Sequence, residues 1–130
     1  MVPPPIALGL SLCETFVVEE GTSNVSLINT FHRRHVERFP SPPQQFGVYA
    51  VLTSGLGDAT IELVINRLDT DEEIYVRRFP WHFSDRLMEV RILYRIKYCS
   101  FPKAGVYQAT LLVDGDWIAH RRFQAALMEG

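Results

Sequence analysis

Hydrophobic and polar residues alternate along much of this chain, most clearly from Met88 to Tyr98. Met88, Val90, Ile92, Tyr94, Ile96 and Tyr98 fall on one side, and Glu89, Arg91, Leu93, Arg95 and Lys97 on the other. A period of two held over that length predicts a β-strand with one face in a core and the other in water. Leu8–Val18 repeats the pattern, with Leu8, Leu10, Leu12, Phe16 and Val18 together. Val25–Phe31 is more ragged, because Leu27 and Ile28 are adjacent, and Phe46–Thr53 is apolar on both faces, as suits a central strand. Thr60–Leu68 groups Ile61, Leu63 and Ile65, and a short strand follows at Ile74–Arg78. Gly105-Val106-Tyr107 enters a strand that runs to Val113, and Trp117–Gln124 returns as the last one.

Turn chemistry separates these runs. Glu20–Asn24, Ser54–Asp58 and Asp69–Glu73 are clusters that end strands. Asp114-Gly115-Asp116 predicts a tight hairpin, since Asp-Gly tolerates the positive φ that such a turn needs. His32–His35 leads into Phe39-Pro40-Ser41-Pro42-Pro43, whose prolines exclude a central strand and predict an ordered loop or a sheet edge. Phe79–Phe83 reads as an aromatic connection, and Ala125–Gly130 as a tail with a short helical turn at most. The sum is an all-β chain: a single antiparallel β-sandwich of about seven to eight strands. A length of 130 residues predicts one domain over residues 1–130, with a proline-rich lead at 1–5 and a C-terminal tail at 125–130.

Composition narrows the classes without choosing among them. The 47% hydrophobic and 22% charged fractions are those of an ordinary globular protein. A formal net charge of -2 weighs against a general nucleic-acid binder. The first residues lack the positive charge of a secretion signal, and no stretch is long and apolar enough for a membrane span, so the cytoplasm is the expected address. There Cys13 and Cys99 are expected as reduced, largely buried thiols, a bridge between them being the alternative.

Lys103-Ala104-Gly105-Val106-Tyr107 resembles the Gly-x-Tyr corner of immunoglobulin-like sandwiches. The resemblance implies structural roles for Gly105 and Tyr107, with the Tyr107 hydroxyl bonded back to the preceding connection. The strand layout, ending in Gly-Val-Tyr-x-Ala-Thr-Leu-Leu-Val-Asp-Gly with its Asp114-Gly115 turn, is similar to small bacterial β-sandwich domains of unknown function. This implies an immunoglobulin-like or related Greek-key topology and a bacterial origin, and it carries no functional residues.

No constellation in the chain demands a particular chemistry. His32, His35, His82 and His120 lack the spacing of a metal site, and no metal or cofactor is expected. Asp69, Asp71, Glu72 and Glu73, with Asp114 and Asp116, would suit calcium only if their two turns met, and otherwise are ordinary turn residues. There is no Gly-x-Ser-x-Gly elbow and no Gly-rich phosphate loop. Arg33, Arg34, Arg77, Arg78, Arg91, Arg95, Lys97, Arg121 and Arg122 would form a basic stripe beside Trp81 and Trp117 if their strands were neighbours, and a solvated sheet face if not. Phe79–Phe83 would close one end of the sandwich if packed inward, and would join Phe39 in an apolar patch if left outside.

The expected function is therefore a non-catalytic β-sandwich that works by contact with another protein or a second copy of itself. Its expected surface is Trp81, His82, Arg91, Arg95, Arg121 and Arg122, residue types that binding hot spots favour. The alternatives are a binding module for an anionic peptide, sugar or nucleotide on the same arginines, and a metal-dependent enzyme.

Overall fold

The alternating runs resolve into the inner faces of two packed sheets. A computed structural model describes residues 3–129 and contains nine strands. They are β1 (Ile6–Val18), β2 (Val25–Thr30), β3 (Arg33–Val36), β4 (Gln44–Thr53), β5 (Gly57–Arg67), β6 (Glu73–Phe83), β7 (Val90–Cys99), β8 (Gly105–Val113) and β9 (Asp116–Leu127). One sheet has the order β2-β1-β4-β7 and the other β3-β9-β8-β5-β6. Between them lie Leu10, Leu12, Val48, Leu52, Ile92 and Ile96 from the first sheet, and Ile61, Leu63, Ile65, Tyr107, Leu111 and Phe123 from the second. Each such side chain contributes about 1.5–3 kcal/mol by leaving water.

The expected local devices are in place. At the end of the sandwich where β8 begins, Phe101 and Tyr107 meet edge-on with centroids 5.0 Å apart, and Phe123 stacks on Tyr107 at 6.0 Å. The Tyr107 hydroxyl donates to the Lys103 carbonyl at 2.6 Å and ties the approach to β8 against the strand it enters. Asp114 and Gly115 both have positive φ, 50° and 86°, which is the twist a two-residue hairpin requires. The proline loop is ordered as expected: Ser41 is buried, and it exchanges hydrogen bonds with Phe101 through its own N–H and its Oγ. Edge strands β6 and β7 close one side of the sandwich, where Phe79 stacks on Tyr94 at 5.5 Å and the Tyr75 hydroxyl donates to that of Tyr94.

The chain departs from the pattern reading in four places. Residues 33–36, to which the pattern assigns no strand, form β3 at the edge of the five-stranded sheet, pairing parallel with β9, so the sandwich is not wholly antiparallel. Phe79–Phe83 is no connection but the second half of β6, with Pro80 opposite Thr60 on an edge strand, where a missing N–H is tolerated. Its Phe79, Trp81 and Phe83 pack against the core, the inward alternative. The last strand continues through Leu127, so the first half of the expected tail is strand, Ala125 pairing with Gly105. Finally, β7 carries an extra residue: Phe46 pairs with Ile96 but Gln44 pairs with Cys99. That bulge breaks the alternation, burying Cys99 and turning Tyr98 outward at 70% exposure. Of the lead and tail, residues 1, 2 and 130 lie outside the described residues.

Candidate functional site

Each sheet also has an outer face, and the two are finished differently. On the four-stranded sheet, β1 pairs with β4 up to Cys13 and from there with β2 alone. The resulting hairpin folds back over β4 and β7. Gly47 makes room for it, since a Cβ there would lie 2.9 Å from the Phe16 ring and 3.0 Å from the Cys13 sulfur. Arg95 fastens it. Its guanidinium donates to Thr15 Oγ1 at 2.8 Å and to the Phe16 carbonyl at 2.9 Å, and lies 4.1 Å from the centroid of the Phe16 ring. Arg91 reaches the turn of the hairpin, donating to the Ser23 carbonyl at 3.2 Å. Beneath this strap Cys13 is fully buried, and burial pushes its thiol up from its usual range against the opposing pull of Arg95. Such a thiol is a packing group and no nucleophile at neutral pH.

Below the strap opens a hollow of about 720 Å³, bounded by Glu14, Thr15, Arg34, Gln44, Gln45, Arg95, Lys97 and Tyr98. Arg34 comes from β3 and is nearly buried, 5.5 Å and 5.9 Å from the ring centroids of Phe31 and Phe46. It pairs with Glu14 and donates to Gln44 Oε1 and to the Gln45 carbonyl. Lys97 takes part in no hydrogen bond or ion pair found among the described residues.

Among the described residues no such hairpin crosses the five-stranded sheet. Along its centre Glu62 faces Leu112, Val64 faces Thr110 and Asn66 faces Gln108. Gln108 Nε2 donates to Thr110 Oγ1, and Arg122 donates to Gln108 Oε1, so the buried amide is held from both sides. The parity of Phe123, Arg121 and Ala119 would send Trp117 into the core. A bulge intervenes: Leu111 pairs with Ala119 but Leu112 with Trp117, leaving Ile118 as the extra residue. Trp117 is thereby aimed outward at 67% exposure, its ring 6.1 Å from that of His120. It borders a hollow of about 180 Å³ shared with Glu62, Val64, Asp71, Glu73 and Leu112. Glu62 is paired with Arg78, whereas Asp71 and Glu73 enter no ion pair found among the described residues.

A sequence profile places this architecture, matching residues 9–126. The chain belongs to DUF6941, a family of unknown function. No curated protein matches it.

In this DUF6941 member the expected surface residues do not meet. Arg91 and Arg95 lie on β7 in the four-stranded sheet, Trp81 and His82 on β6, and Arg121 and Arg122 on β9 of the other sheet, with β8 and β5 between those two strands. The single basic stripe therefore does not form. Trp81 is half-buried, and Arg91 and Arg95 hold the hairpin. His82 is exposed with its Nδ1 2.7 Å from Asp58 Oδ1, and Arg121 emerges beside His32 at the β1 side of the sandwich. The two acidic turns sit at opposite ends of β5: Asp114 accepts from the N–H of Thr60 at its start, and Asp69 follows its end. No group of three His, Cys, Asp or Glu side chains able to hold a metal occurs among the described residues. Cys13 and Cys99 are both free and buried, one under the strap and the other in the core. Among those residues no helix is long and apolar enough to cross a membrane.

The pattern reading offered Trp117 only as a flank of the basic stripe and grouped Tyr98 with the apolar side of its strand. Both are turned by bulges, and a bulge depends on the register with a partner strand. The only local signal was that Trp117 follows a tight turn within two residues.

Proposed function

We propose that this chain is a non-catalytic protein-interaction module that docks its partner on the uncovered face of the five-stranded sheet. The observation that carries the reading is Trp117, taken out of the core by a one-residue bulge and held beside Leu112. An exposed Trp over an apolar neighbour is what interface hot spots are built from. Asp71 and Glu73 make the adjoining hollow acidic, which suits a partner that inserts a Lys or Arg side chain along the indole ring. The strand order β9-β8-β5-β6, opposed by β1-β4-β7, supports an immunoglobulin-like arrangement in which this is the face of the longer sheet. Two free, buried cysteines suit a reducing compartment, the cytoplasm.

Affinity capture from the native host tests the proposal, with wild-type, Trp117→Ala, Glu73→Lys and Arg91→Ala proteins compared by mass spectrometry. The expected result is a stoichiometric partner lost with Trp117→Ala and Glu73→Lys but retained with Arg91→Ala. Identical capture by wild-type and Trp117→Ala protein would overturn the assignment of this face. Light scattering adds one distinction: a dimer dissolved by Trp117→Ala makes the partner a second copy of the chain.

A further inference from the structure

We propose that the cleft below the β1–β2 strap binds a small phosphorylated molecule. This site is independent of the Trp117 face and lies on the other sheet. Its volume, about 720 Å³, falls within the roughly 300–1,000 Å³ of ordinary small-molecule sites. Three cations, Arg34, Arg95 and Lys97, border it against one carboxylate, Glu14, in a chain whose net charge is -2. The positive charge is thus gathered locally and is not a property of the whole surface.

The three cations come prepared in different ways. Arg34 is fixed against two aromatic rings and by its contacts to Glu14, Gln44 and Gln45, and Arg95 by Thr15 and Phe16. Neither uses all of the five N–H donors a guanidinium offers, and holding them costs no ordering on binding. Lys97 supplies an ammonium without a hydrogen-bond or ion-pair partner among the described residues. A carboxylate is satisfied by one arginine fork, whereas donors arriving from β3 and from two positions of β7 suit the several oxygens of a phosphate dianion. The bulge in β7 adds a flat wall by turning Tyr98 outward at 70% exposure, where a sugar or base attached to the phosphate can lie against it.

The test is a titration of ¹⁵N-labelled protein with sodium phosphate and then with AMP, at constant ionic strength, beside a matched chloride control. Saturable shifts confined to residues 14–15, 34, 44–45 and 95–98 are expected, with AMP binding more tightly than phosphate. Lys97→Glu should weaken both by about tenfold or more, since a charge-assisted contact is removed and reversed. Lys97→Gln gives the same readout without a new charge, and Trp117→Ala should change nothing. The proposal fails if chloride reproduces the shifts, if none occur, or if the Lys97 variants bind as wild type. It fails equally if a single-stranded RNA oligomer binds the cleft and AMP does not compete, which would make the site one for nucleic acid.

Discussion

The outer face of the four-stranded sheet is crossed by a hairpin of the protein's own chain, whereas among the described residues no strand crosses that of the five-stranded sheet. Both faces carry an aromatic side chain turned outward by a bulge, Tyr98 on one and Trp117 on the other. Their settings are opposite in charge: arginines and a lysine around Tyr98, carboxylates beside Trp117. On the covered face Arg91 and Arg95 are tied to internal carbonyls, so side chains that look like free surface charge in the sequence also hold the fold there. The bare face has no equivalent internal use for Trp117. Burial of a residue by its own chain and its exposure to a partner are thus separated between the two sheets, and stability measurements can tell them apart.

The largest effect is expected at the strap. Phe16→Ala removes a buried ring from between Gly47 and the Arg95 guanidinium and should cost about 3 kcal/mol in urea unfolding. Hydrogen exchange over residues 15–28 should rise in the same variant. A loss below about 1 kcal/mol, within the range of ordinary surface changes, would mean that the hairpin is an appendage and both faces are effectively bare.

Gly47→Ala probes the same packing from below. Its methyl group must displace Phe16 or Cys13 and should cost about 1–3 kcal/mol. Gly9→Ala is the control on the same face of the same sheet, with nothing within 4 Å of the new carbon, and should stay within about 0.5 kcal/mol. Equal costs would remove Gly47 as the reason the strap can lie down.

The two thiols extend the comparison to alkaline pH. Burial pushes Cys99 up to about 12 from the usual 9.0, while the rise at Cys13 is opposed by Arg95. The folded state keeps a proton that the unfolded chain gives up near pH 9. The contribution is therefore complete below pH 9 and drains away as pH climbs towards 12. One proton corresponds to a slope of about 1.4 kcal/mol per pH unit. Cys99→Ala should flatten the pH dependence of unfolding by up to that amount between pH 9 and 12, and Cys13→Ala by less. If Cys13→Ala flattened it more, the strap would be burying its thiol more completely than the core buries Cys99.

What could be read from the sequence was what neighbours in the chain decide. The Asp114-Gly115 hairpin and the Tyr107 bond to Lys103 span a few residues each, and their turn chemistry names them. The alternation in β1, β5 and most of β7 was visible for the same reason. β3 was not, because Arg33–Val36 has one buried apolar residue and is a strand only by virtue of parallel pairing with β9, some ninety positions away. β6 was cut short at Pro80, which an edge strand accepts and a central one does not. The candidate sites were the least legible part. Whether Arg95 meets solvent or the Phe16 carbonyl depends on the strap, and whether Trp117 points in or out depends on one unpaired residue.

Trp117→Ala should have the smallest effect on stability and is for that reason the sharpest test. A core tryptophan replaced by alanine costs about 3–5 kcal/mol. At 67% exposure, opposite Leu112 in the ladder and with its ring 6.1 Å from that of His120, Trp117 should cost less than about 0.5 kcal/mol in the same urea titration. Trp81→Ala, half-buried against Phe79, supplies the contrast within one sheet and should cost several times more. A large residue that can be deleted without loss to the fold has its energetic use outside it, and partner capture reads that use directly. If instead Trp117→Ala destabilised the protein as much as Trp81→Ala, the indole would be a packing element of β8 and β9. The uncovered face would then have no anchor, and the case for docking there would pass to the arginines of the cleft.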